Sequence, residues 1–135
     1  MGAREFEVRL PAVPASPAAA RDAVERSLNT VLSPGKLDEA RIAVSELVSN
    51  AVQHANLAPE DSIELRGSLD PGMLRVEVRD GGPGFDAAVR RAGQPDSGWG
   101  LHILDQLADR WGTSRDRSTG VWFEMDLDLP DTLTG

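Results

Sequence analysis

Between Leu37 and Ala55 apolar residues recur at Leu37, Ala40, Val44, Leu47, Val48, Ala51 and Ala55, and beyond them the period changes. Spacings of three and four put that stripe on one side of an α-helix. Then come Ile63, Leu65 and Leu69, followed by Leu74, Val76 and Val78, apolar at alternate positions as in half-buried strands. Asp70-Pro71-Gly72 joins the two runs and suits a type II turn, in which proline pre-sets one backbone angle and glycine takes the positive one. A long amphipathic helix followed directly by a hairpin must bury one stripe against one sheet face. That confines the chain to a layered α/β arrangement.

The flanking segments extend the pattern. Phe6, Val8 and Leu10 alternate with charged residues and predict a first strand. Ser16-Pro17 is a helix start, with serine as N-cap and proline at the first helical position; Ala20, Val24, Leu28 and Val31 carry the helical period behind it. The second helix is expected from about Leu37 to Asn56 and a third from about Gly98 to Arg110, with Val121, Phe123, Met125 and Leu127 forming the last strand. The nine prolines fall between these segments or at their starts. Grouped helices and hairpin-connected strands predict a two-layer α/β sandwich, a mixed, mostly antiparallel sheet with helices on one face. One domain is expected to fill residues 1–135, a length sufficient for a single core.

Composition removes several classes of function. There is no cysteine, hence no disulfide framework, thiolate metal site or thiol nucleophile. Twenty-two acids against fourteen bases give a net charge of −8, and no basic cluster offsets it, so direct nucleic-acid binding is not expected. Met1 to Arg9 is charged, and no apolar run marks a signal peptide or a membrane span, which predicts a cytoplasmic protein without membrane contact. Thirteen of the fourteen bases are arginine; the one lysine, in Pro34-Gly35-Lys36-Leu37, does not fit a P-loop. His54 and His102 share no visible ligand set with nearby acids, which argues against zinc.

Three short patterns carry the chemistry. Glu46 and Asn50 lie four apart on the second helix, on a face roughly opposite its apolar stripe that continues through Glu39, Ala43 and Gln53, with His54 at its edge. A solvated helix face has the same pattern, so a functional role requires a cleft above it. Six of the thirteen glycines fall between residues 81 and 100. In Asp80-Gly81-Gly82-Pro83-Gly84, directly after a strand, Gly82 and Gly84 let the backbone approach a flat ligand and Asp80 offers an acceptor. Ser97-Gly98-Trp99-Gly100-Leu101 opens the third helix, where free backbone N–H groups favour phosphate. A tight loop or an ordinary helix start would use the same residues, so each pattern alone is weak.

In this order and spacing, Glu-x-x-x-Asn, D-x-G-x-G and G-x-G-L together resemble the GHKL, or Bergerat, ATP-binding fold over roughly Phe6 to Leu129. The strings from Ser45 to Ala55, Asp80 to Gly84, and Gly98 through Leu107-Ala108-Asp109-Arg110-Trp111-Gly112 are most similar to small anti-sigma-factor serine kinases. The resemblance implies ATP and Mg²⁺ as ligands. It gives Asp80 the adenine amine, a charge-assisted bond, with Gly82 and Gly84 at the base. It gives Asn50 the Mg²⁺, Gly98 and Gly100 the phosphates, and Leu101 a place packed behind them. Glu46 is then the general base toward an attacking hydroxyl, and Thr119, in Ser118-Thr119-Gly120, matches a phosphate contact near the last strand. The implied partners are a sigma factor and a STAS-type antagonist; relatives often dimerise, which leaves a homodimer open. A histidine kinase needs a phosphoacceptor helix pair, and a gyrase-type or chaperone ATPase a transducer domain; 135 residues hold neither.

The sequence also departs from these relatives. Asp96 and Ser97 precede Gly98 where a basic residue is usual, and Trp99 stands between the glycines where arginine is frequent. Arg90 and Arg91 bring charge from the other end of the thirteen-residue lid, Phe85 to Ser97. Trp111 and Trp122, in apolar-periodic segments, read as core. Three readings stay open: an ATP- and Mg²⁺-dependent serine/threonine protein kinase acting as an anti-sigma factor, a nucleotide-binding regulatory module without phosphotransfer, and an interaction domain whose site is vacant.

Overall fold

The computed structural model describes residues 4–54, 61–80, 99–115 and 119–127. The elements are β1 (Arg4–Pro11), α1 (Ser16–Leu28), α2 (Pro34–His54), β2 (Ser62–Asp70), β3 (Met73–Asp80), α3 (Trp99–Leu107), β4 (Arg110–Arg115) and β5 (Thr119–Asp126). The strands form one sheet in the order β1-β2-β3-β5-β4, and all four pairings are antiparallel. Among the described residues three helices cover one face: α1 packs on α2 and β1, α2 on β3, and α3 on α2 and β4. This is the two-layer α/β sandwich that the change of period requires.

The core lies between the layers. Val24 and Leu28 of α1, Val44 and Val48 of α2 and Leu104 of α3 meet Ile63, Leu65, Leu74, Val76, Phe123 and Met125 of the sheet, all wholly buried. The hairpin register is fixed at its turn, where Asp70 pairs with Met73 across Pro71-Gly72 and Gly72 has φ +97°. Left-handed backbone is cheap only for glycine, as the turn chemistry anticipates. Leu127 N–H then donates to the Gly72 carbonyl at 2.8 Å, tying the end of β5 to the same turn.

The other face of the sheet is a ladder of opposite charges. Arg9 meets Glu64 at 3.2 Å, Arg66 meets Glu7 at 3.1 Å, and Glu124 takes Arg75 at 3.0 Å and Arg110 at 2.8 Å. Cross-strand pairs of this kind hold register more than they add stability. Among the described residues no helix is long and apolar enough to cross a membrane.

Three local expectations are corrected. Ser16 is the first residue of α1, not its cap; Ala15 is the cap, and the buried Ser16 hydroxyl donates to the Pro11 carbonyl, joining the helix start to the end of β1. The third helix stops at Leu107, and Arg110–Arg115 is a strand paired with β5. Trp122 is not core. It shares a strand with the buried Phe123 and Met125 but is out of phase with them. Its ring instead carries the Arg75 guanidinium 4.4 Å from the centroid and lies against Gly112.

Candidate functional site

The second helix orients the Glu46–Asn50 row by its two neighbours. On one flank Arg41 reaches Glu25 of α1, Nε to Oε1 3.9 Å. Asn50 lies half a helical turn around from Arg41 and therefore faces the α3 side. Ala43, one turn before Glu46, is wholly buried, while Ile42 beside it is 45% exposed. The buried stripe is thus wider than its large residues indicate. The row is not the back of the helix, as expected from the sequence, but the shoulder where α2 turns down toward α3.

Along that shoulder Glu39, Glu46 and Asn50 are half-buried and Gln53 is exposed. Glu39 takes Lys36 at 3.5 Å, and Gln53 Nε2 donates to Ser49 Oγ at 3.2 Å. Among the described residues, Glu46 and Asn50 form no side-chain hydrogen bond or ion pair. A carboxylate and an amide are therefore held side by side, partly desolvated and not engaged by any other described residue. Their oxygens are hard donors, which suits Mg²⁺: that ion keeps several waters and takes only one or two protein ligands.

The sheet supplies the second part. Asp80 is the last residue of β3 and pairs with Ile63 of β2. On its other side β3 pairs with β5 through Arg79 and Gly120, so the next step of that register sets Asp80 across from Thr119, the first residue of β5. Both share the parity of Val78 and Val121, whose strand neighbours Val76 and Phe123 are wholly buried. Two residues singled out from distant patterns, one from the D-x-G-x-G run and one from the last strand, are thus brought together at one end of the sheet, on the sheet that α2 covers.

The third part is α3. Gly100 and Leu101 lie in its first turn. Behind them the Trp111 indole N–H donates to Asp105 Oδ1 at 2.7 Å, a contact between α3 and β4 that no sequence pattern signalled. Gly82, Gly84 and Gly98 fall outside the described residues, as do the lid arginines Arg90 and Arg91.

A helix shoulder with two polar groups, an acid at a strand end and a glycine-bearing helix start are the parts of the three sequence patterns that the described residues contain. The chain belongs to the histidine kinase-like ATPase domain family, whose model matches residues 10–126; domains of this family bind ATP. Among solved structures it is similar to the crystal structure of the RsbU and RsbW domains of Rv1364c from Mycobacterium tuberculosis, with a TM-score of 0.72 and 19% identity over 92% of this chain. The match takes in 32% of that longer chain, so the present chain spans about a third of its length. No curated protein gives a significant match.

Proposed function

We propose that the chain is an ATP- and Mg²⁺-dependent serine/threonine protein kinase that acts as an anti-sigma factor, holding a sigma factor and phosphorylating a serine on a STAS-type antagonist. The observation that carries this reading is the pair Glu46 and Asn50, adjacent on a half-buried helix shoulder and unengaged among the described residues. Family membership and the sequence strings shared with small anti-sigma-factor serine kinases support it.

In this reading Mg²⁺-bound ATP supplies the transferable phosphoryl group. Asn50 holds the metal through its amide oxygen. Asp80 selects adenine by accepting from its exocyclic amine, an interaction guanine does not offer in the same place. Backbone amides at Gly98 and Gly100 take phosphate oxygens, Leu101 packs behind them, and Thr119 adds a hydroxyl. Glu46 accepts the proton of the attacking serine, a role worth typically ~10²–10⁴-fold. A phosphate on the antagonist adds ~−1.5 to −2 charges, enough to break its pairing with an acidic protein.

A second reading is favoured by Trp99 and by the acid Asp96 near the glycine motif, where relatives carry basic residues. There the domain binds nucleotide and regulates a partner without phosphotransfer.

Thermal unfolding with Mg-ATP, Mg-GTP and no nucleotide tests the common ground of both. A ligand that binds only the native state at 100 times its Kd adds ~2.7 kcal/mol. At this chain length that corresponds to a rise on the order of 10 °C. A rise with ATP but not GTP is expected; no rise with either ligand overturns both readings and favours an interaction domain. Transfer of label from γ-phosphate-labelled ATP to an antagonist then separates kinase from binder.

A further inference from the structure

The hydrogen bond from Trp111 to Asp105 spans the corner where the chain leaves α3 and enters β4. Asp105 is exposed on the helix, whereas Trp111 is half-buried, packed against the core and paired with Phe123 in the sheet. A solvent-facing bond of this kind adds little to global stability. Its consequence is geometric.

Helix α3 has nine residues, too few to hold its own position in water. Leu104 is its one wholly buried described residue, with Leu107 and Ala108 partly packed behind it. That anchor and the packing of α3 on α2 and β4 set how deep the helix sits. A fixed point off the axis narrows its tilt further, and the Asp105 carboxylate held by a rigid indole is such a point. Trp99 lies five residues before Leu104, about 7–8 Å along the axis at 1.5 Å per residue. A tilt of roughly 10° about Leu104 therefore displaces the first turn by ~1 Å, enough to spoil hydrogen bonds made there.

We infer that Asp105 and Trp111 are a positioning pair: their hydrogen bond sets the tilt of α3 and so the direction of the backbone amides at Trp99, Gly100 and Leu101 toward the phosphates of a bound nucleotide. The inference rests on the ATP-binding reading above. It makes phosphate recognition, and not adenine recognition, depend on a contact at the far end of the helix.

The test compares Trp111→Phe, which keeps the ring and deletes the donor, with Asp105→Ala, Asp105→Asn and the double variant Trp111→Phe/Asp105→Ala. Affinities for Mg-ATP and for adenosine are measured by calorimetry. Each of Trp111→Phe and Asp105→Ala weakens Mg-ATP on the order of three- to tenfold, the worth of about one hydrogen bond, and leaves adenosine unchanged. The double variant is no worse than either single one, and Asp105→Asn, which retains an amide oxygen as acceptor, recovers most of the loss. In proton–nitrogen correlation spectra the Trp111 indole signal, identified by its disappearance in Trp111→Phe, shifts and exchanges faster in Asp105→Ala without any nucleotide present. Equal losses for ATP and adenosine, additive losses, or an indole signal unmoved by Asp105→Ala overturn the positioning role. A wild-type protein that binds neither ligand overturns the ATP-binding reading and the role with it, whereas full ATP affinity in both single variants overturns the positioning role alone.

Discussion

Ile63 and Asp80 are the terminal pair of the β2–β3 ladder, and Ile63 is wholly buried. The acid given the task of choosing a base is therefore held at the end of an eight-pair register whose other end is closed by Pro71-Gly72. A one-residue slip would move Ile63 and the other buried residues of β2 to the charged face and shift the end of β3 with them. The turn and the buried strand residues thus protect the position of the proposed adenine contact at the opposite end of the hairpin.

Asp80→Asn keeps the shape of that position and removes its charge. An amide oxygen still accepts, but a hydrogen bond to a carboxylate is roughly twice as strong as a neutral one. We expect the variant to fold, with its unfolding temperature without nucleotide within a few degrees of wild type. Its affinity for Mg-ATP should fall on the order of tenfold or more in calorimetry. Unchanged affinity would remove Asp80 from the site.

Glu46→Gln separates binding from chemistry. Glutamine fills the same half-buried space on α2 but cannot take a proton. Nucleotide affinity should stay within twofold of wild type while label transfer to an antagonist falls ~10²–10⁴-fold. Transfer at the wild-type rate would assign the base elsewhere, and absence of transfer in both proteins would favour the nucleotide-responsive binder.

The sandwich was legible because the period changes at residues that the core uses: Val44, Val48, Ile63, Leu65, Val76 and Phe123 are all wholly buried. Strand β4 was not. Leu104, Leu107, Ala108 and Trp111 are spaced three and four apart, so in the sequence the helical stripe runs on through Arg110. What ends the helix is tertiary: Asp109 N–H donates to the Glu124 carbonyl at 2.9 Å, and the next residues join β5. Trp122 was misplaced by hydrophobicity without phase, since Phe123 and Met125 already fix which side is buried. The Glu46–Asn50 shoulder was legible as a row, but its tilt toward α3 shows only in the Arg41–Glu25 contact on the opposite flank and in the burial of Ala43, a residue too small to announce a face. Asp105 and Trp111 lie in separate elements, and no periodicity links them.

Acid should weaken the fold through the cluster at the end of β5. Hydrogen bonds from Arg110 first, and from Arg75 after it, hold the Glu124 carboxyl below its ordinary range. The Asp126 carboxyl is likewise held down, chiefly by Arg110, whose Nη2 lies 2.6 Å from Oδ1. A carboxyl depressed in the folded state contributes stability that is present above its unfolded value, near 4, and is lost as pH falls through the folded value. Unfolding temperatures followed from pH 7 to pH 2 should therefore drop, and Arg110→Met should flatten the part of that drop below about pH 4.5. An identical acid slope in wild type and variant would mean that these pairs are too well solvated to matter.

Gly112 and Gly35 make opposite predictions for the same substitution. A Cβ at Gly112 would stand 2.8 Å from Cζ2 of Trp122, whose ring already carries Arg75 on the open face of the sheet. To relieve the clash the indole must leave either the strand or the guanidinium, so Gly112→Ala should destabilise by about 1–3 kcal/mol. At Gly35, near the start of α2, a Cβ meets nothing within 4 Å. Alanine there restricts the unfolded chain and favours helix, so Gly35→Ala should stabilise by roughly 0.4–1 kcal/mol. Urea midpoints at pH 7 measure both, with the slopes unchanged if only the folded-state contact and the unfolded-chain entropy are altered. A neutral Gly112→Ala would mean the indole has a second resting place on the sheet, and a rise in Trp122 mobility by relaxation measurements would locate it.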